Sequence, residues 1–200
     1  MPLTKEQGEE LVRLARNTVD DFVRGDDIAR PGGGNEPFLK EVRGAFVTLK
    51  NRDGSLRGCI GFPYPIKELG EAVVEASISA AAYDPRFPKV EPTELDGLLV
   101  EVSALTKPEK LEWSSPKELP KRVRIGVDGL IVSNALTSGL LLPQVATEYK
   151  LSPEDFLSDT CLKAGLRADS WLTDKIVVQR FQAEVFSETS PRGKVKRELG

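Results

Sequence analysis

Apolar residues along this 200-residue chain recur with two periods, and the switches between them mark the elements. Leu11, Leu14, Ala15, Thr18, Val19, Phe22 and Val23 return at three- and four-residue steps, the stripe of an amphipathic helix. The helix is predicted over Lys5–Arg24, opened by Thr4 and Gln7 at capping-box spacing and stopped by Gly25. Arg30–Pro37 (RPGGGNEP) reads as a flexible turn, because its glycines lack the strand–helix context of a phosphate loop. Ala45–Lys50 and Leu56–Gly61 alternate on either side of Asp53-Gly54, which is hairpin turn chemistry. Pro65–Tyr83 reads as a second helix, with Ile66, Leu69, Val73 and Ala76 on its apolar side and Pro85 beyond its end. Its many small residues let it lie close to a sheet. Leu98–Leu105 is the next strand.

Thr106–Pro120 holds three prolines and reads as the seam between two parts. Beyond it, Arg122–Val127 and Leu130–Val132 are expected to pair about Asp128-Gly129, and Leu140–Leu142 to form a short strand ended by Pro143. Ser152 and Pro153 open a helix that reaches about Ala164 and stops at Gly165. Ile176–Phe186 reads as one long alternating strand, and Arg192–Arg197 as a solvated basic tail. The order predicts an α+β fold: two unequal α/β sandwich-like parts, near residues 1–112 and 113–200, built from antiparallel hairpins covered by helices.

Charge and composition narrow the chemistry. Twenty-eight Lys and Arg face 31 Asp and Glu, for a net charge of −3, which argues against a dedicated nucleic-acid binder. The chain has no histidine, so it cannot by itself build a Ser-His-Asp triad, a Cys-His dyad or an HExxH zinc site. Two cysteines, Cys59 and Cys161, exclude a disulfide framework and fit a reducing, cytoplasmic home. Cys161 falls on an apolar helix stripe and reads as buried filler. A structural metal site is rejected, and no cofactor is implied. No apolar run reaches the length that spans a bilayer. Asn and Gln number four each among many Glu, Lys and Arg, a composition that leans toward a heat-adapted source.

The stretch that could carry chemistry is Leu56-Arg57-Gly58-Cys59-Ile60-Gly61. Strand alternation puts Arg57 and Cys59 on one face and Leu56 and Ile60 on the other. Pairing Val47 with Ile60 and Leu49 with Gly58 keeps one face apolar. The same register sets Thr48 opposite Cys59 and Lys50 opposite Arg57. Two cations across from each other call for an anion between them, and they would bias the thiol toward thiolate. Gly58 and Gly61 leave room for a close backbone or ligand. A second stretch, Asp84-Pro85-Arg86-Phe87-Pro88, holds Asp84 and Arg86 in a stiff turn, where Asp84 could orient or deprotonate the thiol and Arg86 clamp an anion. A structural reading stands beside this one: Cys59 as a small packing residue, Arg57 paired with a glutamate to fasten two elements, and Asp84 bonded to backbone or to an arginine.

These residues carry a resemblance. LRGCIG at 56–61 resembles the hallmark of the AMMECR domain family. The likeness extends to DPRFP at 84–88, EVSAL at 101–105, GLLLPQVATE at 139–148 and FLSDTCLKAGL at 156–166. It implies one domain over residues 1–200, an α+β architecture of two unequal parts with the larger discontinuous, and no agreed reaction. It also implies Memo-type and radical SAM proteins as pathway partners, and Arg57, Cys59, Asp84 and Arg86 as site residues. Several relatives carry His before the glycine of the second hairpin, where this chain has Asp128, so a mechanism needing that histidine does not transfer.

Two functions remain open. One is a thiol-dependent enzyme acting on a small anionic metabolite or modified nucleotide. Cys59 would be the nucleophile, Asp84 the base, and Arg57, Thr48, Lys50, Gly58 and Arg86 the anion-binding groups. The other is a non-catalytic interaction or regulatory module whose cations grip an acidic protein surface.

Overall fold

The computed structural model describes residues 2–28, 36–173 and 175–198. The glycines of the turn predicted at Arg30–Pro37 fall outside them. Helix α1 spans Lys5–Arg24 as its stripe predicts. Thr4 Oγ1 accepts the Gln7 N–H at 3.2 Å, and Gln7 Oε1 accepts the Thr4 N–H at 2.9 Å, so two otherwise orphaned donors are satisfied. Gly25 closes the helix in the left-handed region, at φ 80°.

Strands β1 (Ala45–Asn51) and β2 (Leu56–Phe62) form the first hairpin. The Asp53 carboxylate accepts the Ser55 N–H at the turn, and Gly54 takes φ +85°. Helix α2 (Leu69–Ala82) starts later than the apolar spacing predicts. Pro63 and Pro65 keep the preceding residues out of helical geometry, Leu69 donates to the Glu41 carbonyl, and Ile66 is left 69% exposed. Strand β3 is Leu98–Leu105, as expected.

The later elements are β4 (Glu109–Lys110), β5 (Gly129–Ser133), β6 (Ser138–Leu141), α3 (Pro143–Glu148), α4 (Pro153–Lys163), α5 (Ser170–Thr173), β7 (Val177–Phe181), β8 (Ala183–Glu188) and β9 (Val195–Arg197). They complete an α+β fold with two sheets, ordered β2-β1-β3-β8-β9 and β4-β7-β5-β6. The chain divides into two compact units, Met1–Leu105 with Glu184–Leu199, and Thr106–Ala183. A linear division near residue 112 would leave β8 and β9 with the second part; here they complete the sheet of the first.

In the larger unit, Val47, Leu49, Val100, Val102 and Phe186 pack against α1 and α2. In the smaller, Leu130, Val132 and Val178 pack against Phe156, Leu157 and Cys161 of α4. Ser152 caps α4 with Pro153 in its first turn, and Gly165 follows at φ +73°. Cys161 is fully buried, and no disulfide joins it to Cys59.

Three expectations are corrected. Residues 122–127 do not form a strand, because Asp128 turns back on Arg124, accepting its N–H at 3.0 Å and its guanidinium at 2.7 Å. The hairpin partner of β5 is β6, joined through Asn134, whose side chain accepts the N–H groups of Leu136 and Thr137. The alternating stretch 176–186 is two strands in different sheets. It breaks at Gln182, whose N–H is drawn off to Thr106 Oγ1. The basic tail is tied down: Arg192 bonds Asp20 and Asp96, and Arg197 bonds Glu184. Among the described residues, no helix is long and apolar enough to cross a membrane.

Candidate functional site

The site lies on the edge of the larger unit's sheet, where β2 has β1 on one side only. Val47 pairs with Ile60, Thr48 with Cys59 and Leu49 with Gly58, as the apolar pattern requires. The next pair is Lys50 with Leu56, so the register slips by one residue and Arg57 has no partner across the ladder. The expected Lys50–Arg57 pairing is therefore absent.

Arg57 is buried and fully engaged. Its Nε and Nη2 donate to the Glu94 carboxylate at 2.7 and 3.0 Å, while Nη1 and Nη2 donate to the carbonyls of Pro88 and Lys89 at 2.9 and 3.2 Å. This bidentate grip holds the Glu94 carboxyl below its ordinary value, outweighing the cost of its burial. Arg57 thus fastens the 88–94 segment to β2. Lys50 is also occupied, donating to Glu101 at 2.7 Å. Gly58 faces inward: a Cβ built there would overlap the Ala80 carbonyl oxygen of α2 at well under 3.0 Å. Its missing side chain admits the helix, not a ligand.

Around Cys59 the structure gathers Thr48, Asp84 and Arg86. The Cys59 N–H points away from β1 and donates to Asp84 Oδ2 at 2.8 Å; the Cys59 carbonyl accepts Arg86 Nη2 at 3.3 Å. Two side chains thereby occupy the backbone positions that a further strand would use on this edge. The two are locked together, with Arg86 Nε and Nη2 on the Asp84 carboxylate at 2.9 and 2.7 Å and the Arg86 N–H at 3.1 Å. Asp84 is 4% exposed. The Arg86 guanidinium, and then the Cys59 and Arg86 backbone N–H groups, hold its carboxyl well below the usual carboxylate range despite burial.

Thr48 Oγ1 donates to Cys59 Sγ at 3.2 Å. Burial pushes the half-buried thiol's pKa up. The Thr48 hydroxyl and the Arg86 charge oppose that rise, and the carboxylates of Glu101 and Asp84 add to it. The expected bias toward thiolate is thus reversed, since the cations meant to supply it are paired elsewhere. Two acids absent from the sequence reading matter here. Glu101 pairs with Thr48 across β1 and β3, and strand alternation in EVSAL could have revealed it. Glu94 sits in a 3-10 turn with no periodic signal. Among the described residues, no group of three or more His, Cys, Asp or Glu is placed to hold a metal.

The AMMECR1 family model matches residues 12–186, a span that contains this whole constellation. The chain belongs to the AMMECR1 family. A family protein from Thermofilum pendens is 46% identical over 202 residues, covering 96% of this chain and 95% of that protein. Protein TK0174 from Thermococcus kodakarensis is 50% identical over 196 residues, covering 96% and 95%. The crystal structure of uncharacterized protein PH0010 from Pyrococcus horikoshii superposes with a TM-score of 0.93 at 46% identity, over 99% of each chain. These AMMECR1 relatives come from thermophilic organisms. None of the three names states an activity, and the family is one of unknown function.

Proposed function

We propose that this AMMECR1 chain is a non-catalytic binding module of the cytoplasm, in which LRGCIG and DPRF are the framework of a partner-binding face. The commitment of Asp84 carries this reading. A carboxylate already bonded to Arg86 and two backbone N–H groups, and held far below its ordinary pKa, is a poor proton acceptor for a thiol near neutral pH. A thiol with a raised pKa also runs against the requirement for an activated nucleophile. Two cysteines not joined in a disulfide fit a reducing compartment.

The exposed part of the DPRF turn supplies the face. The Arg86 guanidinium lies 5.5 Å from the Phe87 ring and Lys89 Nζ 6.0 Å from the Tyr83 ring, and Tyr83 is 63% exposed. Aromatic and cationic side chains together suit the acidic surface of a protein partner. Memo-type and radical SAM proteins, implied by the family resemblance, are the first partners to test.

The test combines thiol chemistry with binding. Iodoacetamide alkylation of Cys59 followed against pH should report an apparent pKa above that of a free thiol. Purified Memo-type and radical SAM proteins should bind Cys59→Ala as well as the parent chain, and bind Tyr83→Ala and Lys89→Glu more weakly. A depressed thiol pKa, or binding lost in Cys59→Ala and kept in Tyr83→Ala, would favour the thiol-enzyme reading instead.

A further inference from the structure

Within the larger unit, α1 and the chain leading into β9 border a cleft of about 640 Å³, a size ordinary for small-ligand sites. Half-buried Val195 gives it an apolar wall, Val12 is itself almost fully covered, and Asn17 adds an exposed amide. The charged groups around it fall into pairs, with two exceptions. Lys5 lies 3.6 Å from Glu9. Buried Arg16 grips Glu188 and also donates to the Leu98 carbonyl at 2.7 Å. Arg192 holds Asp20 at 2.9 Å. Each carboxylate of the cleft is thus matched by a cation. Arg13 and Lys194, both exposed, line the same cleft, and their side chains have no hydrogen-bond or ion-pair partner among the described residues.

Two unmatched cations, a neutral amide one helical turn from Arg13 and an apolar wall define what would fit. The charge that balances Arg13 and Lys194 is a dianion. The planar fork of Arg13 matches paired phosphate oxygens, and Lys194 adds a point charge. A bare dianion would leave half-buried Val195 uncovered, so an organic body is needed.

We propose that this cleft binds a small organic phosphate monoester, with its phosphate held by Arg13 and Lys194 and its carbon skeleton resting on Val195 beside Asn17. The site is independent of the Cys59 face and survives if that reading fails. Because both cations are exposed, their hold on the phosphate weakens as salt rises.

Titration calorimetry of the full chain at low ionic strength tests this. The probes are ribose 5-phosphate and glycerol 3-phosphate, with ribose, glycerol, inorganic phosphate and succinate as comparisons. The phosphate esters should bind at one site, more tightly than inorganic phosphate or succinate, and the neutral parents should not bind. Arg13→Gln and Lys194→Gln should each weaken ribose 5-phosphate about tenfold, the scale of one lost charge-assisted contact. Neither side chain has a partner among the described residues, so both variants should keep the parent's melting temperature. Lys117→Gln, in the other unit, should change nothing. No binding by either ester up to about 10 mM would overturn the proposal. So would tighter binding of succinate, or affinity unchanged in both cleft variants.

Discussion

Replacing Asp84 with alanine tests the clasp at the sheet edge most directly. The carboxylate accepts four hydrogen bonds: from the Cys59 N–H at 2.8 Å, the Arg86 N–H at 3.1 Å, and Arg86 Nε and Nη2 at 2.9 and 2.7 Å. Breaking a buried ion pair costs about 3–5 kcal/mol. This one should fall at the low end, because the Arg86 side chain is 54% exposed and can turn to water. The part-buried Cys59 N–H loses its acceptor, and an orphaned donor costs about 1–3 kcal/mol. The expected loss for Asp84→Ala is therefore about 3 kcal/mol. In a local opening of β2 this appears as roughly hundredfold faster amide exchange at Cys59. Asp84→Asn keeps one acceptor for the Cys59 N–H but turns an amide N–H₂ toward Arg86, so it should recover only part of the loss. Guanidinium denaturation and amide exchange of the three chains measure both effects. A loss below about 1 kcal/mol, with unchanged Cys59 exchange, would show the pair to be an idle surface contact and refute the reasoning.

Gly58→Ala should cost about 1–3 kcal/mol by forcing α2 off the sheet, whereas Gly97→Ala, where a Cβ meets nothing within 4 Å, should be neutral in the same melts. Thr48→Val removes the hydroxyl that donates to Cys59 Sγ and lowers its pKa, so the thiol pKa should rise further and alkylation at pH 8 should slow. Asp84 and Glu94 are both held below their ordinary values, so the unfolded chain takes up their protons first as pH falls. Their stabilisation is full above the ordinary carboxylate range, near about pH 4, and is lost as pH drops through the folded values. Arg57→Met should return the Glu94 carboxyl toward its ordinary pKa by NMR titration and shrink that acid-dependent stability.

Elements set by local chemistry were legible in the sequence. The Thr4–Gln7 box and Gly25 bound α1, Asp53-Gly54 turns the first hairpin, and Ser152-Pro153 opens α4, because each signal acts within a few residues. Elements decided by distant partners were not. Asp128-Gly129 has hairpin composition, but the Asp128 carboxylate is captured by Arg124, and the strand pairing moves one segment later. The stretch 176–186 reads as one strand by its composition, and its pattern cannot reveal that Thr106, far away in sequence, draws off the backbone at Gln182. The apolar register of β1 on β2 was readable, yet the partner of Arg57 was not, because Glu94 lies in an aperiodic turn.

The slip at Lys50–Leu56 separates the two functional readings in physical terms. C-terminal to it, alternation holds: Gly58 faces α2, and Thr48 meets Cys59 on the opposite face, with Glu101 paired to Thr48. At the slip the alternation is interrupted, and Arg57 is carried to Glu94 and the 88–89 carbonyls. With unbroken alternation, Cys59 would have had Arg57 and Lys50 as neighbours and a thiolate to match. With the slip, the charges that act on the sulfur are one cation, Arg86, and two carboxylates, Glu101 and Asp84, and burial already disfavours the ionised form. One unpaired residue in an edge strand thus turns a cationic pattern into a satisfied clasp, in which the arginines fasten loops and burial pushes the thiol pKa up.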